Sequence, residues 1–210
     1  MRIVTRHLDF VRAVIDGDMA QVTARLAANP ELAVMSSALG ATRQGSADLF
    51  FPDIAHYLYE GDTALHMAAA ACRRDVAALL VARGANPRAK NRRGAEPLHY
   101  AADSNIADPT AQAETIATLI SAGADPNALD RSGVAPLHRA VRTRSLAAVR
   151  ALLDGGADPK RPNKNGSTPM RLAELTTGKS GSGSTRAREQ QAAIIQLLSE
   201  RGAPRSRMEP

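Results

Sequence analysis

GDTALHMAAAACRRDVAALLVARGANPRAKNRR, residues 61–93, is the stretch on which the reading of this chain turns, because it recurs. Leu65-His66, Leu98-His99 and Leu137-His138 each stand four residues after a glycine (Gly61, Gly94, Gly133), and the next such glycine is Gly166. The glycines are 33, 39 and 33 residues apart. Each copy also closes alike: Leu79-Leu80 before Gly84-Ala85-Asn86-Pro87, Leu119-Ile120 before Gly123-Ala124-Asp125-Pro126, Leu152-Leu153 before Gly156-Ala157-Asp158-Pro159. A looser fourth copy opens with Pro169-Met170 and ends with Leu197-Leu198 before Gly202-Ala203-Pro204. Self-similarity at such a period marks a stack of repeated units, none of which can bury its apolar face alone.

Local chemistry predicts two helices per copy. Thr63 and Thr168 can cap a helix start, and Pro97, Pro136 and Pro169 fall at the first helical position, where a missing N–H costs nothing. The alanines next in line (Ala68, Ala69, Ala101, Ala102, Ala140) let a neighbouring helix approach closely. The second helix ends at the double aliphatic, and Gly84, Gly123, Gly156 and Gly202 suit the left-handed residue just past a helix end. A proline three residues later forbids resumption. The segment between that proline and the next copy, such as residues 88–93, is short, polar and turn-like.

Two short helices and a turn per 33 residues or so, opened by a Thr-Pro-Leu-His-like signature, resemble the ankyrin repeat. The resemblance covers residues 61–203, with residues 8–34 matching by helical pattern alone. It implies an all-α solenoid of stacked helix-turn-helix units with short turn or hairpin tips. It further implies a hydrogen bond between the Thr hydroxyl and the His ring that ties adjacent repeats together. Only the first copy keeps both partners, Thr63 and His66; Glu96 and Ala135 replace the threonine in the next two, and Arg171 replaces the histidine in the last. One net hydrogen bond contributes about 1 kcal/mol, so these departures weaken single joints without breaking the stack.

Bulk properties fit that reading. A 210-residue solenoid counts as one domain, expected over residues 1–204, with 204–210 as a flexible tail. The expected units are a capping helix pair at 1–35, an aromatic-rich insertion at 36–60, and repeats at 61–93, 94–132, 133–165 and 166–203. Hydrophobic residues at 44% and charged residues at 23% are ordinary for a soluble protein, and 3% aromatics suit closely spaced helices. The single cysteine, Cys72, allows no internal disulfide and no cysteine-based metal site. The charged start, MRIVTRHLDFVR, lacks the apolar core of a secretory signal, and no run reaches the 18 apolar residues of a membrane span. A cytoplasmic monomer is the expectation.

In the capping pair, Leu8, Val11, Val14 and Ile15 share one helical face, Gly17 breaks the helix, and Asp18 with Gln21 reads as a capping box opening a helix through Leu26. In the insertion, Phe50, Phe51, Tyr57 and Tyr59, four of the chain's six Phe and Tyr residues, are expected to fold back over the first repeat. A ligand pocket with His56 and the tyrosine hydroxyls at its rim is the rival reading. The second and fourth copies carry six and thirteen extra residues between their helices, within 103–113 and 176–188. A last helix from about Glu189 to Arg201 should turn Ala192, Ile194, Ile195 and Leu198 inward.

No set of residues argues for catalysis. Gly178-Lys179-Ser180 invites comparison with a phosphate-cradling loop, but Ala173 stands where the first glycine is required, so an inter-helix loop is the better reading. His66, His99 and His138 fall on successive layers roughly 10 Å apart, too far to share a metal at about 2 Å. Asp125, Asp130, Asp154 and Asp158 occupy turn positions, where aspartate has local hydrogen-bonding reasons to be. No enzyme, cofactor or metal is expected.

Charge is more informative. The net charge is +6 and the pI about 10.1, and residues 131–150 carry five arginines and no acid. The resemblance implies binding through the turn tips and the exposed side of each first helix. Mapped copy by copy, it assigns Lys90, Arg92, Arg93, Arg131 and Lys164 to tips and Arg142 to the exposed side of a first helix. On this reading six cations share one concave surface, opposed by few acids, Asp103 and Glu174 among them. The expected partner is another protein, acidic or extended, bound without chemistry, whether as adaptor, inhibitor or antitoxin. Nucleic-acid binding is the alternative suggested by the pI, but no aromatics interleave the cations and no helix-turn-helix or zinc pattern appears. A small-ligand site at His56, Tyr57 and Tyr59 is the third.

Overall fold

A computed structural model describes residues 2–41, 49–104, 108–175 and 185–205. Its helices come in pairs. After α1 (Arg2–Asp16) and α2 (Met19–Ala28) come α3 (Ala64–Ala70) with α4 (Arg74–Ala82), α5 (Pro97–Ala102) with α6 (Pro109–Ser121), α7 (Pro136–Arg142) with α8 (Leu146–Asp154), and α9 (Pro169–Glu174) with α10 (Thr185–Glu200). The first helices form one layer, in the packing order α1, α3, α5, α7, α9, and the second helices form the other, α2, α4, α6, α8, α10. Helices of six to nine residues are marginal alone in water, so this packing holds them.

Equivalent residues occupy equivalent places. Leu65, Leu98, Leu137 and Met170 are buried in successive first helices, and every residue of α3 and α5 is buried. Alanines at Ala68, Ala69, Ala101, Ala102 and Ala140 let these helices meet closely. In α4, α6, α8 and α10 one leucine, four residues before the closing glycine, is fully buried: Leu80, Leu119, Leu152 and Leu198. Burying each contributes about 2–3 kcal/mol. Its carbonyl accepts the N–H of the alanine after that glycine, from Ala85, Ala124, Ala157 and Ala203, at 2.9–3.0 Å. This is the Schellman closure, and it requires the positive φ seen at Gly84, Gly123, Gly156 and Gly202.

The tips repeat as faithfully. Asn91, Asp130 and Asn163 each accept two backbone N–H groups on one side-chain oxygen, from residues two and four positions on. The glycine three residues after each has positive φ, and at the first two tips it faces the neighbouring tip: a Cβ on Gly94 would lie 3.1 Å from the backbone nitrogen of Arg131, and one on Gly133 2.9 Å from that of Lys164. Asp125 and Asp158 do cap turns, accepting from Asn127 and Lys160 at 2.8 Å. Asp154 does not; it is the last residue of α8 and pairs with Arg201.

The ends differ from expectation in detail. Helix α1 begins at Arg2 rather than near residue 8, and Phe10 and Ala13 join Val11, Val14 and Ile15 in the core. Asp18 caps α2, its carboxylate accepting the Gln21 N–H and the Gln21 side-chain amide, each at 2.9 Å. Helix α10 starts at Thr185, earlier than expected; Ile194 and Leu198 are buried as expected and Ile195 is half-buried, but Ala192 is exposed and Leu197 joins the contact. The tail beyond 205, the string at 178–180 and, of the two inter-helix insertions, residues 105–107 and 176–184 lie outside the described residues.

The aromatic insertion is a small hairpin. Strands β1 (Phe50–Phe51) and β2 (His56–Tyr57) pair antiparallel across a 3-10 turn at Pro52–Ile54. Phe51, Ile54 and Leu58 enter the core, whereas Phe50 stays partly exposed against Tyr57. At the base Ser37 bonds to two successive residues, its N–H donating to Asp62 O at 2.7 Å and its carbonyl accepting the Gly61 N–H at 2.8 Å. The insertion is thereby stitched to the first repeat.

Candidate functional site

Three histidines join the repeats. The Nδ1 atoms of His66, His99 and His138 accept the N–H of Thr63, Glu96 and Ala135 at 3.1, 3.1 and 3.2 Å, so each proton resides on Nε2. That Nε2–H donates to the next repeat, to Ala95 O, Val134 O and Ser167 O at 3.1, 3.0 and 3.2 Å. The Thr63 hydroxyl adds a bond to His66 at 3.0 Å. Its loss from the next two copies leaves their joints whole, because the ring itself spans the gap between repeats. Burial lowers the pKa of all three rings, that of His99 to about 4 with help from the Arg139 charge.

Beside this ladder lies a buried polar network. Asp62, fully buried, accepts from Tyr59 N–H at 2.7 Å, from Asn91 Nδ2 at 2.9 Å and from the Tyr100 hydroxyl at 2.8 Å. Desolvation raises its pKa against the pull of His66 and these donors. One layer along, Arg139 bridges two acids, Asp130 at 2.9 Å and Asp103 at 3.4 Å, and Arg142 meets the same Asp103 at 3.5 Å. Between hairpin, tip and first helices this arrangement leaves a cavity of about 250 Å³. His56, Tyr59, Arg93, Tyr100, Asp103 and Arg139 line it.

The predicted cations divide. Arg92, Arg93, Arg131 and Lys164 succeed one another along the tips: Arg92 N–H donates to Glu60 O at 2.8 Å, Arg131 N–H to Arg93 O at 2.9 Å, and the Lys164 ammonium to Arg131 O. Lys90 instead turns toward buried Glu96 at 3.8 Å, Arg92 reaches Glu60 at 3.5 Å, and Arg142 is held by Asp103. Among the described residues Arg93, Arg131 and Lys164 have no acidic partner, and the Arg93 guanidinium lies 4.1 Å above the Tyr59 ring. Asp103, expected merely to dilute the basic surface, is engaged by two arginines.

Sequence reasoning passed over Tyr100 and Arg139. Their signal was position: each directly succeeds the histidine of its copy, where the first copy has Met67, so they stack in consecutive layers. Asp62 and Asn91 carried no comparable signal, since their partners are 38 and 29 residues distant. Among the described residues no group of three or more His, Cys, Asp or Glu could hold a metal, and no helix is long and apolar enough to cross a membrane.

A layered array with joints of this kind defines a class of repeat protein, and comparison gives the class its name. Family models for ankyrin repeats match residues 38–130, as three copies, and residues 119–173. The chain belongs to the ankyrin-repeat proteins, whose repeats are generally protein–protein interaction modules. No curated protein matches it.

Proposed function

We propose that this protein is a non-catalytic module that binds another protein, taking an acidic or extended segment along a basic concave face. Lys90, Arg92, Arg93, Arg131, Arg142 and Lys164 contribute the charge, within one domain that the capping pair and α10 close at its ends. The observation that supports this most is the succession of Arg93, Arg131 and Lys164 on adjacent tips, chained by hydrogen bonds and without acidic partners among the described residues. A cation already neutralised within its own chain offers a partner little, whereas an exposed row without counterions attracts an acidic segment and raises its association rate, less so as salt screens it. Lys90, Arg92 and Arg142 would exchange internal acids for the partner's.

The test is charge reversal on the tips away from the cavity. Proteins captured from the native cell by the wild-type chain and by an Arg131→Glu, Lys164→Glu double variant are compared by quantitative mass spectrometry, then remeasured with the purified partner. Affinity for that partner should fall about tenfold or more, with helicity unchanged. Equal affinity of the two chains would refute the role of the tips. Binding of duplex or single-stranded nucleic acid with a steep salt slope would favour the alternative.

A further inference from the structure

We propose that the cavity beneath the hairpin is a receptor for one carboxylate carried by a polypeptide. The polypeptide bearer rests on the protein-binding reading; the chemistry of the cavity does not. Arg93 supplies a guanidinium with no acidic partner among the described residues, held at the rim by the Tyr59 ring 4.1 Å below it. Stacking of this kind fixes an arginine in place at low cost and leaves its N–H fork free for a planar anion. Arg139 supplies the second: a guanidinium carries five N–H donors, and its two acids, Asp130 and Asp103, leave some of them uncommitted. Among the described residues the only acid lining the cavity is Asp103, already shared by Arg139 and Arg142.

His56 adds a third observation. Its ring lines the cavity, packed edge-on against Tyr100 at 4.4 Å, and its buried Nε2 has no hydrogen-bond partner. A buried polar nitrogen left unpaired is unfavourable, and with the ring proton on Nε2 a ligand oxygen entering the cavity is the acceptor it lacks. The guanidinium charges of Arg139 and Arg93 act on this ring and oppose its protonation. A neutral ring in a positive field beside two arginines suits an anion and repels a cation. Asp62 does not compete for the site, because Tyr59, Asn91 and Tyr100 already satisfy it. Size narrows the choice further: about 250 Å³ takes an acidic side chain or a chain terminus with some water. It falls short of the roughly 300–1,000 Å³ of pockets that hold drug-sized ligands.

The experiment titrates the wild-type protein with three N-acetylated tripeptides while tracking the His56 ring by NMR. The probes are acetyl-Gly-Glu-Gly-amide, its Gln counterpart, and acetyl-Gly-Gly-Gly with a free C-terminus. A saturable His56 shift with a Kd on the order of 1 mM is expected for a carboxylate peptide and not for the Gln peptide. The tighter of the two carboxylate probes identifies the source as side chain or terminus. Arg93→Ala should weaken binding about fivefold or more, whereas Arg74→Ala, at an exposed arginine of α4 paired with Glu114 and outside the cavity, should leave it unchanged. No saturable shift, equal response to Glu and Gln peptides, or indifference to Arg93→Ala would overturn the inference. A silent cavity alongside capture that still depends on Arg131 and Lys164 would overturn this inference alone; the opposite result would overturn the reading of the tips alone.

Discussion

Acidification should loosen the stack at its joints. His99 is fully buried and neutral, accepting the Glu96 N–H on Nδ1 and donating to Val134 O from Nε2. Its pKa is lowered from 6.5 to about 4, chiefly by burial and then by Arg139. A histidine with a depressed folded pKa stabilises the fold fully above its unfolded pKa, and that contribution is lost as pH falls from 6.5 toward 4. Between pH 7 and about pH 4.5 the loss from this residue comes to about 2 kcal/mol. His66 and His138, lowered in the same direction, add to it. Asp62 and Glu96 work against it, since their raised pKa values mean the folded chain takes up their protons first on acidification. The assay is urea unfolding read by far-UV circular dichroism at both pH values, for wild type and for His99→Gln. The glutamine retains a donor for Val134 O but cannot titrate. It should cost about 1–3 kcal/mol at pH 7, because the Glu96 N–H loses its acceptor. The further loss on acidification should then be smaller than in wild type by about 2 kcal/mol. Equal acid losses in the two proteins, within about 0.5 kcal/mol, would refute the assignment of that proton to His99.

Two further substitutions probe the core and the polar network. Leu119→Ala removes a fully buried side chain from the middle of the second-helix layer and should lower unfolding free energy by about 2–5 kcal/mol in urea melts, whereas Leu129→Ala, at a partly exposed side chain, should change it by less than about 1 kcal/mol. Tyr100→Phe deletes one donor to the Asp62 carboxylate and should cost about 1–3 kcal/mol at neutral pH, with part of the loss recovered on acidification as Asp62 becomes protonated, readable from the same melts at two pH values.

Much of the fold was legible because repetition multiplies weak signals. One glycine after a leucine pair says little; Gly84, Gly123, Gly156 and Gly202 in the same frame specify four helix ends, and all four adopt the left-handed conformation. Pro97, Pro136 and Pro169 mark the first residue of α5, α7 and α9 in the same way. The hairpin at Phe50–Tyr57 was not legible as strands, because two-residue strands leave no alternation to detect and its turn places Ala55, not glycine, in the left-handed region. The tip cations could be assigned to positions but not to pairs. Whether a lysine faces outward or, like Lys90, folds back on Glu96 depends on which acid the packing brings near it. Tyr100 and Arg139 were visible only as departures from the pattern, and their partners Asp62 and Asp103 come from other copies.

The histidine joints reach for main-chain oxygens, at Ala95, Val134 and Ser167, and not for side chains. Every residue type offers that same oxygen, so the coupling between units is blind to the identity of the residue that receives it. Mutation can therefore rewrite the outward lettering of one unit without disturbing its grip on the next. Adhesion and recognition are written in separate alphabets, and such a chain is free to change what it reads while keeping its shape.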